Sequence, residues 1–154
     1  MDIYNPERFF AIFPNLPKTV KVTSPHTVRR PDIPSYNCIA FALGFKDKWW
    51  WPPMETDTYW PADCPPEPTV SAFECVFATL GYKPCSHGRL ESGYEKIALF
   101  TDENGPTHAA IQLSNGVWMS KCGDNVDIEH QLRELEGPSY GKVTMFFRRP
   151  GQTP

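Results

Sequence analysis

The chain of 154 residues has no excess of positive charge, no long apolar run and few glycines. Its 15 lysines and arginines stand against 18 aspartates and glutamates, a formal net charge of −3 that gives no electrostatic reason to expect nucleic acid. No apolar run approaches the roughly 18 residues that a membrane span needs, and the start MDIYNPERFF lacks the basic region of a signal peptide. We therefore expect no nucleic-acid or membrane partner, in a protein that is cytoplasmic or exported without an N-terminal signal peptide.

The five cysteines contain no C-x-x-C pair, and their odd number leaves at least one of them unpaired. Their spacing does not resemble that of a zinc-binding module, so we expect no metal site and no cofactor. In a cytoplasmic protein the default interpretation of such thiols is that most are reduced, buried and inert.

Proline is abundant, with 17 residues against 10 glycines, and this predicts one loop-rich domain over residues 1–154. Residues 1–34 form an irregular, proline-punctuated lead-in with at most a short edge strand, and residues 35–149 form the core. Residues 46–68 hold four of the five tryptophans and six prolines, which predicts a long surface loop with an aromatic wall.

The hydrophobic pattern predicts helices first and then an antiparallel meander, an α+β fold. The first helix runs from Cys38 to Leu43, with Ser35 or Asn37 as its cap, and the next from Thr69 to Leu80. Strands are predicted at 96–101, 108–113, 117–121 and 142–148, and a helical turn at 128–135.

Cys38 stands in the first turn of a short apolar helix, which is predicted to be buried. Unsatisfied N–H groups and the positive end of the helix dipole favour a thiolate there and lower its pKa. The competing interpretation is a small hydrophobic residue packed in the core.

His108 opens a predicted strand whose next residues, Ala109 and Ala110, are small and leave space around an imidazole. In a sheet packed on the Cys38 helix, this imidazole would reach the thiol as a general base. The alternative is a partly exposed histidine at a strand end. The competitors for the role are His26, His87 and His130.

The segments YNCIAFALG, THAAIQLSNGVWMSKCG and SYGKVTMFFRRP resemble the papain-like cysteine hydrolases of bacterial type, the NlpC-class cell-wall endopeptidases and the CHAP amidases. More narrowly, they look like an uncharacterised bacterial family of that kind. The likeness implies a papain-like fold, with N-terminal helices packed on the meander over residues 35–149. It also implies Cys38 as nucleophile, His108 as general base, and an oxyanion hole formed by the Cys38 N–H with Tyr36 or Asn37.

Enzymes of this kind place a His, Asn, Gln or Glu on the returning strand to orient the imidazole, and VWMSKCG departs from that pattern. A two-residue turn before this strand would put Lys121, which cannot accept a hydrogen bond, on the face of His108. A three-residue loop over 114–116 would put Ser120 there diagonally, and we predict Ser120 as the third position. The alternatives are a backbone carbonyl, Asp124 and Asp127.

The sequence thus predicts a thiol hydrolase that cleaves an amide bond by acyl transfer. Trp50 and Trp51 either line its substrate groove or only cover the sheet. The family likeness suggests a peptide or peptidoglycan-like substrate, and a secreted effector would have an immunity or carrier protein as partner. The competing hypothesis is a non-enzymatic protein-binding domain on a papain-like scaffold.

Overall fold

A computed structural model describes residues 6–17, 19–24, 36–45, 48–53, 58–122 and 127–151. The α-helices in this part of the chain are α1 (Pro6–Ile12), α2 (Cys38–Ala42) and α3 (Val70–Thr79). The strands are β1 (Lys21–Ser24), β2 (Lys83–Cys85), β3 (Tyr94–Asp102), β4 (Gly105–Gln112), β5 (Trp118–Lys121), β6 (Asp127–His130) and β7 (Lys142–Pro150). All seven strands form one antiparallel sheet in the order β1-β6-β5-β4-β3-β7-β2, and a short 3-10 helix, Leu132–Leu135, follows β6.

The predicted papain-like α+β fold, with helices packed on a meander, is wrong. The molecule is mostly antiparallel sheet with a few short helices, and the sheet is covered on both faces. Ile97 and Leu99 of β3 pack in one core cluster with α2 and α3, whereas Ala98 and Phe100 pack in a second cluster with α1. Because both faces of β3 are buried at its centre, residues 97–100 of this strand are apolar without alternation, as is usual for a strand covered on both sides.

Several elements with strong local signals are confirmed. The helix predicted from Thr69 to Leu80 is α3, and the Thr69 hydroxyl caps it by accepting a hydrogen bond from the Ala72 N–H at 3.2 Å. The four predicted strands correspond to β3, β4, β5 and β7. The edge strand expected in the lead-in is β1, at one end of the sheet. Residues 25–34 of the lead-in, with the candidate cap Ser35, lie outside the described residues.

The segment Asp127–His130 was predicted to begin a helical turn, and this prediction is wrong because the segment is strand β6. It is paired on both sides, with β5 and with β1. In β1, Lys21 lies opposite Glu129 and forms an ion pair with it at 3.0 Å. Long-range pairing therefore overrides the weak local pattern, and the 3-10 helix begins only at Leu132. Helix α1 was also missed, because its region was interpreted as irregular.

The loop between β4 and β5 decides which side chains face His108. The Leu113 N–H donates to the Val117 carbonyl at 2.7 Å, so the loop has three residues, and Gly116 adopts a φ of +88°. A glycine in the left-handed region is typical of three-residue hairpin loops. Ile111 consequently lies opposite Met119. The three-residue register is thus confirmed, and it puts Ser120 on the face of His108.

Cys64 and Cys75 form a disulfide that joins the aromatic loop to α3. For this pair the default of reduced, inert thiols is wrong. The other cysteines, Cys38, Cys85 and Cys122, are free. Within the described ranges, no helix is long and apolar enough to cross a membrane, and no cluster of three potential metal ligands occurs.

Candidate functional site

Asn37 fixes the start of α2. Its side-chain oxygen caps the helix by accepting from the Ala40 N–H at 3.2 Å. The same amide pairs with the backbone of Trp50 in both directions, accepting from its N–H at 3.0 Å and donating to its carbonyl at 2.7 Å. Asn37, one of the two predicted caps, is therefore the cap of α2, and its side chain also holds the aromatic loop next to Cys38.

Cys38 is 6% exposed, in the first turn of α2. Burial raises the pKa of its thiol to about 11, while the backbone N–H groups of Ala109, Ile39 and Cys38 itself and the positive charge of Lys121 act in the opposite direction. The predicted lowering of the pKa is therefore wrong, because the loss of hydration outweighs the stabilising dipoles.

The Cys38 sulfur meets β4 beside the N–H of Ala109, the residue that follows His108. Among the described residues, the ladder between β4 and β5 pairs Gln112 with Trp118 and Ile111 with Met119, and does not extend to Ala109. The start of α2 thus lies where the two strands are no longer paired. Helix α2 packs on the sheet face to which the Ala109 side chain points, and the His108 side chain points to the opposite face. The thiol nevertheless lies beside the backbone N–H of Ala109, the residue next to the histidine.

His108, Ser120 and His130 form a buried hydrogen-bonded chain across three neighbouring strands. The His108 Nε2 lies 2.9 Å from the Ser120 Oγ, which lies 2.7 Å from the His130 Nε2. The registers explain the contacts, because Ser120 lies diagonally across from both histidines on one face of the sheet. The predicted pairing of His108 with Ser120 is therefore present in the structure.

The far end of the chain is closed by the backbone, since the His130 Nδ1 lies 2.7 Å from the Gln131 carbonyl oxygen. Burial lowers the pKa of His130 to about 4, although the carbonyl acts weakly in the opposite direction. Burial, and then the charge of His130, hold the pKa of His108 well below its ordinary value. Both imidazoles are therefore neutral near pH 7.

Tyr140 stacks on the His108 ring, with ring centroids 4.1 Å apart and planes 9° apart. Phe100 contacts the same imidazole edge-on at 5.1 Å. Burial, followed by the charges of Cys122 and Cys38, raises the pKa of Tyr140 well above its ordinary value. Tyr140 is therefore close to the thiols as well as to the imidazole.

The remaining nitrogen of His108, Nδ1, is buried and has no hydrogen-bond partner among the described residues. A buried polar atom without a partner is uncommon and costs folding free energy. The Trp50 Nε1 and the Tyr82 hydroxyl share this property, so the unpaired Nδ1 becomes informative only because it belongs to a titratable imidazole that Ser120 holds in place.

Tyr36, a predicted contributor to the oxyanion hole, is half-buried, and its hydroxyl donates to the Asp127 Oδ2 at 2.9 Å. Burial and the negative charge of Asp127 raise the pKa of this phenol. The Tyr36 hydroxyl therefore donates its proton to a carboxylate at rest, and its contribution to an oxyanion hole stays a prediction. Asp124, the other acidic alternative for orienting His108, lies outside the described residues.

The two tryptophans predicted at the substrate groove are packed into the core. Trp50 is 5% exposed and stacks on Phe45 at 5.1 Å, while Trp51 contacts Phe73 of α3 edge-on at 5.2 Å. The aromatic loop therefore packs against the helices next to the sheet, while Trp50 also lines a surface pocket with Lys48 and Tyr59, so the substrate groove stays a prediction.

The structure thus brings His108 and Ser120 together and adds His130, while the Cys38 sulfur lies beside the backbone of the residue that follows His108. The sequence names His130 only as a competitor of His108, because its segment was interpreted as a helical turn. The alternation of Ile128 and His130 with the more exposed Glu129 is the signal of a strand that would have placed His130 on the Ser120 face.

The model of a family described as a domain of unknown function, DUF7689, matches residues 27–148, and the chain belongs to this family. No curated protein and no solved structure matches the chain.

Proposed function

We propose that the protein is a thiol-dependent hydrolase that cleaves an amide bond by acyl transfer, with Cys38 as nucleophile and His108 as general base. One observation carries the proposal. The buried imidazole of His108 is held at Nε2 by Ser120 while its Nδ1 has no partner, and the adjacent backbone N–H faces the Cys38 sulfur. A nucleophile, a base and a group that orients the base are the parts that such catalysis requires.

The proposed reaction requires the Cys38 thiol to come within hydrogen-bond distance of the His108 Nδ1, which has no partner at rest among the described residues. The sulfur then forms a bond to the carbonyl carbon as the thiol proton moves to that nitrogen. The tetrahedral intermediate then expels the amine, which takes that proton from the imidazolium. Water attacks the thioester, with His108 again accepting a proton, and releases the acid and the free thiol. Hydrolysis in this form needs no redox partner and no cofactor.

The Cys38 thiol and the His108 imidazole are both neutral at rest, and this determines the type of catalysis. With a pKa of about 11, about one Cys38 in ten thousand is ionised at pH 7. A preformed thiolate–imidazolium pair is therefore not the resting state. Proton transfer accompanies the attack, as with a hydroxyl nucleophile, so the rate depends strongly on the lone pair of His108.

The resemblance to the NlpC and CHAP hydrolases suggests a peptide or peptidoglycan-like amide as the substrate. The Cys64–Cys75 disulfide favours export over a cytoplasmic location, because disulfides persist mainly in oxidising compartments. An exported effector would be accompanied by an immunity or carrier protein.

The burial of Cys38 favours a second candidate, a non-enzymatic protein-binding domain. Cys38 is only 6% exposed as a residue, so its thiol must become accessible before it can attack a carbonyl, whereas a thiol with a purely structural role in the core need not. In that case the aromatic loop and its surroundings would form the binding surface.

Acylation of Cys38 separates the two candidates. The protein is incubated with p-nitrophenyl acetate at pH 7.5, release of nitrophenolate is followed, and the acetylated residue is located by peptide mass spectrometry. We expect one acetyl group on Cys38, and His108→Gln should slow its transfer by about a hundredfold or more. Cys122→Ser is the matched control, because it removes another free thiol that is buried, 1% exposed against 6% for Cys38.

Acylation that occurs on Cys85 alone, or that is unchanged by Cys38→Ala and by His108→Gln, would exclude the hydrolase and favour the binding domain. A hydrolase should also turn over, so nitrophenolate release should continue beyond one equivalent of protein.

A further inference from the structure

The positions of the protons in the hydrogen-bonded chain of His108, Ser120 and His130 follow from its last acceptor, the Gln131 carbonyl. A carbonyl oxygen only accepts, so the His130 Nδ1, 2.7 Å from the Gln131 carbonyl, carries a hydrogen. In a neutral imidazole the other nitrogen is then an acceptor. The Ser120 hydroxyl, 2.7 Å from the His130 Nε2, therefore donates its proton to His130.

Ser120 has only one proton, and His130 uses it. Toward His108 the serine oxygen therefore accepts, and the His108 Nε2, 2.9 Å away, must carry a hydrogen. The lone pair of the neutral His108 imidazole is then at Nδ1, the nitrogen without a partner. The ring is held in this orientation by stacking on Tyr140 at 4.1 Å.

We propose that His130 is a positioning residue which, through Ser120, fixes His108 in the tautomer whose Nδ1 accepts the thiol proton. This inference rests on the proposed hydrolase. It assigns a role to a residue that does not touch the reacting atoms, and it explains how a serine replaces the stronger acceptors expected at the third position. Ser120 alone could donate in either direction, so it would not select a tautomer, whereas His130 held by a carbonyl removes that choice.

The first test is the position of the proton on His108. Nitrogen-15 spectra of the full chain labelled at histidine, recorded at pH 7.5, distinguish a protonated from an unprotonated ring nitrogen. We expect a hydrogen on Nε2 and none on Nδ1 in the wild type. A hydrogen on Nδ1 would overturn the proposal whatever the activity.

The second test uses three substitutions in the hydrogen-bonded chain. Ser120→Ala removes the acceptor of the His108 Nε2–H, His130→Leu removes the acceptor of the Ser120 hydroxyl, and His130→Gln keeps that second acceptor. His130→Leu and Ser120→Ala should shift His108 toward the other tautomer and slow acylation of Cys38 about tenfold, the usual worth of one hydrogen bond. His130→Gln keeps an amide oxygen for Ser120 and an amide N–H for the Gln131 carbonyl, so both the tautomer and the rate should recover.

Circular dichroism shows which variants fold, and if His130→Leu does not, Ser120→Ala and His130→Gln still decide the question. Equal rates in the wild type and in Ser120→Ala would overturn the positioning role. If the wild-type tautomer is as expected but Cys38 is never acylated, the proton order stands and the hydrolase itself fails, and with it the positioning role.

Discussion

Moderate acid should destabilise the fold through the buried histidine chain. The pKa of His130 is about 4 in the folded protein, against about 6.5 for an unfolded chain. Above pH 6.5 the imidazole is neutral in both states, so its contribution to stability is complete. As the pH falls below 6.5 the unfolded state binds the proton first, and stability is lost progressively until the pH reaches the folded pKa near 4.

The size of the effect follows from that difference. Between pH 7 and pH 5, His130 alone should lower the free energy of unfolding by about 2 kcal/mol, since one pKa unit corresponds to about 1.4 kcal/mol. His108 acts in the same direction, because burial also lowers its pKa. This is a large part of the roughly 5–15 kcal/mol by which a small domain is stable.

Urea unfolding followed by tryptophan fluorescence at pH 7, 6 and 5 measures the loss. His130→Gln should lose about 2 kcal/mol less over this range than the wild type, because glutamine does not titrate. His87→Gln is the comparison, because it removes a histidine outside the hydrogen-bonded chain of His108, Ser120 and His130. Desolvation and the charge of Lys96 also lower the pKa of His87, but its side chain is 32% exposed, so His87→Gln should reduce the acid sensitivity less than His130→Gln does. Equal losses in the wild type and in His130→Gln would refute the reasoning.

Three further results are expected. Iodoacetamide at pH 7.5 should label the partly exposed Cys85 faster than the buried Cys38, as measured by mass spectrometry. The rate of Cys38 labelling should rise steadily up to about pH 11, and fast labelling near pH 6 would contradict the raised pKa. Phe73→Ala should lower the free energy of unfolding in urea by about 3–5 kcal/mol, since the ring is fully buried, and a loss below about 1 kcal/mol would contradict its central place in the core. Glu91→Gln should lower the free energy of unfolding in the same assay, because it removes the carboxylate 2.7 Å from the ammonium of the fully buried Lys96. An unchanged stability would show that the backbone carbonyls of His87 and Arg89 satisfy this charge alone.

The sequence predicts the elements whose signals are local. Helix α3 has its cap at Thr69 and a helical apolar period within one segment, and strand β3 contains an uninterrupted apolar run at 97–100. Neither needs information from elsewhere in the chain, so both are found with nearly correct ends.

The missed elements depend on partners that are far away in the sequence. Strand β6 has four residues and is held by β1, where Lys21 lies opposite Glu129, more than a hundred positions away. A four-residue segment such as Asp127–His130 fits a strand and a helix start about equally well, so only the pairing decides. The wrong fold class has the same origin, because the sheet acquires its second covered face from α1, in a region interpreted as irregular.

The geometry around His108 shows how much one loop determines. Two registers of the β4–β5 hairpin were compatible with the sequence, and they place different residues beside the imidazole. The three-residue loop turns Trp118 and Ser120 toward one buried face, and Trp118 lies opposite His130 there. The sequence predicts Ser120 beside His108, but the contact of His130 with Ser120 depends on strand β6, which the sequence did not predict.

The ionisation of Cys38 could not be predicted from its position in the chain, and the magnitudes show why. A helix end stabilises a nearby charge by about 0.3–1 kcal/mol, and α2 has only five residues. Burial acts in the opposite direction, and the net rise of the Cys38 pKa, about two units, corresponds to about 3 kcal/mol. Because the dipole cannot offset that cost, the thiol is protonated at rest, and the proposed reaction requires a base to remove its proton. The proposed reaction therefore depends on where the proton of His108 lies, and the hydrogen bonds from Ser120 and His130 are the contacts that we propose to fix it.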